Sequence, residues 1–192
     1  MWYAPAMTMV LRPGESADDL GAAGAGGCAQ CGSSLRPWGH ARARAARGPA
    51  GEWWYRPQRV RCSSCRATQV VLPPEVLLRR RDGVAVVGAA WRSCAGGAGV
   101  RRTAAALGLP METVRGWMRR LRDLVGSLHA SSEEGDRARL GRGLALLTAS
   151  ARAEGWLAED EVWRFASHGS QGRLLARNTG WPYAAPAEAP MH

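Results

Sequence analysis

The chain contains no lysine and no isoleucine, and only one phenylalanine and one asparagine. Without lysine there is no Schiff-base amine and no phosphate-loop ammonium. No phosphate-cradling glycine motif and no Ser/His/Asp grouping takes their place, so the sequence does not read as an enzyme. No window approaches the roughly 18 apolar residues of a membrane span. The first residues lack the basic stretch and apolar run of a secretory signal. The expectation is a soluble, cytoplasmic chain, free of membrane and nucleoid-associated if its partner is DNA. In a reducing compartment thiols stay reduced, so paired cysteines read as metal ligands rather than disulfides. At 192 residues the chain can build one ordinary domain or two small ones, whose thin cores gain from a staple.

All 26 basic residues are therefore arginine, against 16 acids, for a formal charge of +10. The excess of Ala, Arg and Gly matches the codon bias of a GC-rich genome, so the position of the charge says more than its chemistry. Residues 28 to 66 carry eight arginines against Glu52, and residues 76 to 124 carry ten against Asp82, Glu112 and Asp123. From 125 onward seven arginines meet eight acids. Two basic blocks in a chain whose last third is slightly acidic form the electrostatic footprint of a protein that meets phosphate backbones. The competing reading is a solvated surface in an arginine-biased proteome.

Four of the five cysteines form two Cys-x-x-Cys turns, Cys28 with Cys31 and Cys62 with Cys65, separated by 30 residues. Two residues between cysteines let one tight turn aim both sulfurs at a single point, and two such turns supply the tetrahedral thiolate set that structural Zn²⁺ prefers. Gly32 fits the turn that follows Cys31. A redox dithiol needs only one pair. An iron–sulfur cluster can use four cysteines, but two separated, basic turns favour zinc. Four sulfurs leave no open coordination position, so nothing suggests a catalytic metal. The gap exceeds the usual ~15 to 20 residues, which predicts an extended hairpin or loop over residues 36 to 51. His40 reads as a polar loop residue, and Cys94 as a small buried group.

Along the chain, MTMVLR at 7 to 12 reads as a short strand, and Ser16 to Asp19 opens a short helix. Trp53-Trp54-Tyr55 and Val70-Val71-Leu72 read as strands, the latter stopped by Pro73-Pro74, which marks a boundary. Asp82 is placed to cap a helix with its apolar stripe at Val84, Val87, Gly88, Trp91 and Ala95. Short helices are predicted over Val100 to Leu107 and Met111 to Leu124. Leu140, Leu144, Leu147 and Ala151 predict another, and Glu159 to Ala166 a last one. The resulting fold class is α+β: a linker region over 1–27, a small β-rich zinc ribbon over 28–74, an all-α helix-turn-helix domain over 75–125, C-terminal helices over 126–181 and a disordered Pro/Ala tail over 182–192. Apolar stripes without positive charge in the C-terminal helices suggest self-association or a partner contact.

The helix-turn-helix rests on VRRTAAALGLPMETVRGWMRR, Val100 to Arg120. Ala104 sits where two helices cross, Gly108 occupies the turn, and Leu107, Leu109, Val114 and Trp117 supply the locking apolar contacts. Thr103 departs from the usual apolar residue and is expected to loosen the packing. On the third helix Val114, Trp117, Leu121 and Leu124 form the buried stripe, while Met111, Glu112, Thr113, Arg115, Gly116 and Arg119 face outward. Arg115 and Arg119, one turn apart, suit guanine O6 and N7, and Glu112 can accept from cytosine N4. Arg101, Arg102, Arg120 and Arg122 suit phosphates. The plain alternative is a three-helix bundle with a solvated arginine face.

CAQCG, RPWGHARAR, RVRCSSCRATQVVLP and GVRRTAAALGLPMETVRGWMRRLR together resemble actinobacterial proteins that join an N-terminal zinc-binding ribbon to a helix-turn-helix and are commonly encoded in or beside insertion elements. The resemblance covers about residues 7 to 125 and, weakly, QGRLLARNTGWP. It implies binding of double-stranded DNA linked to transposition or to regulation near mobile elements, with a transposase as a possible partner. A related comparison is the N-terminal region of insertion-sequence transposases. Those enzymes continue into a nuclease domain with three acidic residues on a βα core, and the 67 residues after 125 are too few and too helical to hold one. A zinc-ribbon adaptor that binds protein without reading bases is the rival function.

Overall fold

The computed structural model describes residues 7–10, 27–28, 30–126, 135–153, 161–169 and 175. It is a mixed α+β protein, with strands in the first part and helices in the second. The expected helix at Ser16 to Asp19 and the tail at 182–192 lie outside the described residues.

The strands are β1 (Met7–Val10), β2 (Leu35–His40), β3 (Arg44–Gly48), β4 (Gly51–Tyr55), β5 (Gln58–Cys62) and β6 (Thr68–Leu72). One sheet has the order β1-β6-β5-β2, with β1 parallel to β6 and the other pairs antiparallel. β3 and β4 form a separate two-stranded hairpin, from which Arg47 also bridges to Asp82. The period-two alternation of strands sends Val60, Cys62 and Val71 to one face, where they pack with Leu35 and Cys28. Val70 and Leu72 point to the other, against Val10, Ala46, Trp53 and Tyr55. The expected hairpin between the cysteine turns is present but shifted. Residues 35–40 enter the main sheet, and the hairpin occupies 44–55.

Pro73-Pro74 follows β6 directly, as expected, but the packing does not stop there. Val76 is fully buried with Val10, Ala46 and Leu72, while its neighbour Leu77 joins the helical core. The helices are α1 (Val84–Ala95), α2 (Val100–Ala106), α3 (Met111–Gly126), α4 (Asp136–Ala153) and α5 (Glu161–Gly169). Asp82 does not cap α1. The N-cap is Gly83, without a side-chain cap, because Asp82 pairs instead with Arg47 at 3.3 Å. Arg47 also accepts from the Gly83 amide at 2.8 Å and donates to the Arg81 carbonyl at 2.7 Å. The hairpin thus holds the entry of α1 through main-chain bonds and one ion pair. Arg81 and Glu52 add an exposed pair across the same seam.

The α1 stripe is buried at Val84, Val87, Gly88 and Trp91, with Val86, Ala90 and Cys94 added. Trp91 and Trp163 meet at 5.5 Å between ring centroids, and the Trp91 indole N–H donates to the Leu140 carbonyl at 3.0 Å. Fully burying each large side chain of this kind stabilises the fold by about 1.5–3 kcal/mol. Gly88 is the crossing point, since a Cβ there would lie 2.2 Å from the Trp163 ring. Leu140, Leu147 and Ala151 of α4 and Val162, Phe165 and Ala166 of α5 are buried in the same core. Of the expected stripe, Leu140, Leu147 and Ala151 are thus buried within the chain and Leu144 is half-buried, while Leu146, 40% exposed, lies outside it. α5 also returns to the strands. Ser167 Oγ donates to the Val76 carbonyl at 2.8 Å, His168 Nδ1 contacts the Val10 carbonyl at 2.7 Å, and Arg164 pairs with Glu75 at 3.1 Å. No helix among the described residues is long and apolar enough to cross a membrane.

Candidate metal centre and basic helix face

The four cysteines expected as ligands converge. The sulfurs of Cys28, Cys31, Cys62 and Cys65 all lie within 4.8 Å of one another, with Cys28 to Cys65 and Cys31 to Cys62 at 3.5 Å. A tetrahedral ion with ~2.3 Å bonds to sulfur places its ligands about 3.8 Å apart, so the four-sulfur set fits a metal ion. All four are free thiols.

The two turns are built alike. Cys28 N–H donates to the Ser33 carbonyl at 2.8 Å, and Cys62 N–H to the Ala67 carbonyl at 2.9 Å, the same five-residue step in each. The residue after the second cysteine takes a left-handed conformation in both, Gly32 at φ 70° and Arg66 at φ 64°. Glycine adopts this freely, whereas a side chain costs about 1–2 kcal/mol. The second turn therefore accepts strain that the first avoids. Ser34 and Ser63 join the turns, through their hydroxyls at 2.9 Å and through the Ser63 amide to the Ser34 carbonyl at 3.0 Å.

The proton affinities of the thiols are uneven. The Ser33 side chain, then the Ser33 amide and Cys62, hold Cys31 down at about 6. The Gln30 amide lowers Cys28 despite its burial. At Cys65 the Ala67 amide favours the thiolate, but desolvation and the neighbouring sulfurs of Cys28, Cys62 and Cys31 outweigh it and push the thiol up to about 12. Negative charge accumulates readily on the first turn and resists completion on the second. A cation held by the four sulfurs would supply the missing counter-charge. His40 ends β2 exposed to solvent, outside the sulfur cluster.

The second group of expected site residues lies on α2 and α3. Between them Gly108 has φ 61°, and the Leu109 amide donates back to Ala104 at 2.9 Å, closing a tight turn. Ala104, Leu109, Val114, Trp117 and Leu121 are buried as expected, and Met118, which the apolar stripe did not single out, is buried with them. Thr103 does not loosen the packing. It is 1% exposed, and its hydroxyl is satisfied by Ser93 Oγ at 2.9 Å and lies 3.6 Å from Cys94 Sγ. Cys94 is buried, as its neighbours require.

On the opposite side of α3, Met111, Glu112, Arg115 and Arg119 are exposed, as are Arg101 and Arg102 on α2. Thr113 and Gly116 are half-buried. Arg115 pairs with Glu112 one turn away and reaches the Met111 sulfur at 3.6 Å. An exposed pair at this spacing contributes only about 0.3–0.5 kcal/mol, so an incoming anion or base can displace it. Arg120 and Arg122 are half-buried, and each already interacts within the chain. They are less available than the four exposed arginines. No family model, curated protein or solved structure matches the chain.

Proposed function

We propose that this chain is a DNA-binding protein stabilised by structural zinc. Cys28, Cys31, Cys62 and Cys65 hold Zn²⁺ in a ribbon, and α2, its glycine turn and α3 act as a helix-turn-helix whose third helix enters the major groove of double-stranded DNA. The observation that carries this reading is the placement of Arg115 and Arg119. They are exposed one turn apart on the face opposite Val114 and Trp117, where a bidentate guanidinium can meet guanine O6 and N7. Glu112, Met111 and Thr113 complete that face. Arg101 and Arg102 hold phosphates and set the register. The protein works by binding rather than by catalysis. The resemblance to ribbon and helix-turn-helix proteins of insertion elements supports a narrower role, as an accessory to transposition or a regulator of mobile elements.

Selection from random duplexes, followed by titration of variants at two salt concentrations, tests the reading. Arg115→Ala should cost roughly 1 to 3 kcal/mol on the selected site and far less on other sequences. Arg101→Ala should weaken all sequences alike and flatten the salt slope by about one unit. Absence of any enriched sequence, or identical behaviour of the two variants, favours a protein-binding adaptor instead.

A further inference from the structure

β2 is an edge strand of the four-stranded sheet, and it leaves an unusual surface. Arg36 on β2 stands directly opposite Arg61 on β5. Like charges at paired positions on one face of a sheet repel each other and destabilise it. Among the described residues nothing relieves this pair, for neither Arg36, Arg61 nor Arg59, two residues along β5 on the same face, makes an ion pair there. Arg61 rests on an aromatic ring instead. Its guanidinium carbon lies 4.5 Å from the centroid of Trp38, and its Nε is buried without a hydrogen-bond partner. Trp38 in turn keeps 52% of its surface in solvent, although a tryptophan gains most from burial.

We propose that this face of β2 and β5 binds single-stranded nucleic acid, with an unpaired base stacked on Trp38 and the phosphates of the strand neutralised by Arg36, Arg59 and Arg61. A flat ring held in place by a stacked guanidinium is a platform for another flat π-system, and every base has one. Three uncompensated arginines around it select a polyanion over a neutral or cationic partner. Duplex DNA offers the same phosphates but keeps its bases stacked inside, so it leaves the ring idle. The surface lies on the face of β2 and β5 opposite the Cys62 side chain, uses no residue of α2 or α3, and stands whether or not α3 reads a duplex.

The test uses the full-length, metal-loaded protein and a labelled oligothymidylate about 16 nucleotides long, with a matched oligouridylate and a blunt duplex as the other arms. Binding is read by fluorescence anisotropy at two salt concentrations, with metal content and melting recorded for each variant. Trp38→Ala should weaken single-strand binding about tenfold and leave duplex binding unaltered, and Trp38→Phe should restore most of the loss. Arg61→Ala should weaken it and flatten its salt slope. Arg115→Ala should leave the single strand untouched, which separates this site from the helix face. The ratio of the DNA and RNA arms tells which strand is the source. A photocrosslink from a halogenated uracil strand to wild-type Trp38 keeps the test decisive even if Trp38→Ala loses its metal. Unchanged single-strand affinity in Trp38→Ala, equal losses on strand and duplex, or crosslinks only at other residues would overturn the proposal.

Discussion

Cys31 and Cys65 sit in one sulfur cluster with opposite proton tendencies, the first held down at about 6 and the second pushed up to about 12. A metal ion needs all of them as thiolates, so binding competes with protons. The sign is fixed by that competition: affinity rises with pH, because Cys65 must give up its proton, and falls as acid returns protons, most steeply once Cys31 is also protonated near pH 6. Zinc titration in weakly buffered solution at pH 7.5 should release at least one proton per ion. Uptake of the ion without proton release would contradict the thiolate cluster. Cys62→Ser should lose stoichiometric zinc and with it apparent stability of order 10 kcal/mol in the strand region, read by metal analysis and chelator-sensitive melting. The convergence of the four sulfurs was legible from spacing alone. The likeness of the two turns was not, because Arg66 follows Cys65 where Gly32 follows Cys31, and only the backbone angle reveals the shared left-handed position.

At the scale of elements, α1 depends on a contact with α5 that no local pattern announces. Gly88 reads as one more small residue on an apolar stripe. In the fold it is the seat of the Trp163 ring, and an added methyl would lie 2.2 Å from it. Gly88→Ala improves helix propensity by about 1 kcal/mol, but forcing the two helices apart should cost more, about 1–3 kcal/mol or above. The net expectation is a lower melting temperature, and a variant that melts higher than the parent would show that α1 and α5 do not meet there. Asp82 makes the same point in reverse. Its position before α1 suits an N-cap, yet the hairpin brings Arg47 within ion-pair distance and the carboxylate turns to it. Thr103, a misfit by residue type, is at home because α1 brings Ser93 to its hydroxyl.

For the whole molecule, the strand region and the helices share a seam rather than a flexible joint. Val76 packs among the strands while Leu77 packs among the helices, and Ser167 and His168 of α5 reach the Val76 and Val10 carbonyls. Removing the proposed metal should therefore be felt by helices that contain none of the four cysteines. A chelator is expected to lower the melting midpoint of the helical signal as well as to abolish the strand signal, followed by far-ultraviolet circular dichroism with and without added zinc. Two transitions, with the helical one unmoved by the chelator, would mean that the seam carries little energy. Truncation after Asp123 should destabilise α1 for the same reason. It removes Leu140, whose carbonyl accepts the buried Trp91 indole, and Trp163.

Local chemistry is what the sequence by itself determined: cysteine spacing named the sulfur set, period-3.6 stripes named the helices, and Gly108 named the turn between α2 and α3. These features depend on residues close together in the chain, where spacing and conformation are tied by covalent geometry. The tertiary structure alone decided which groups from distant segments meet. It placed residues 44–55 as the separate hairpin, joined Arg47 to Asp82, seated Trp163 on Gly88, and left Trp38 half in solvent with Arg61 over its ring. Each of those depends on how strands and helices close on one another, and side-chain periodicity carries no information about a partner tens of residues away.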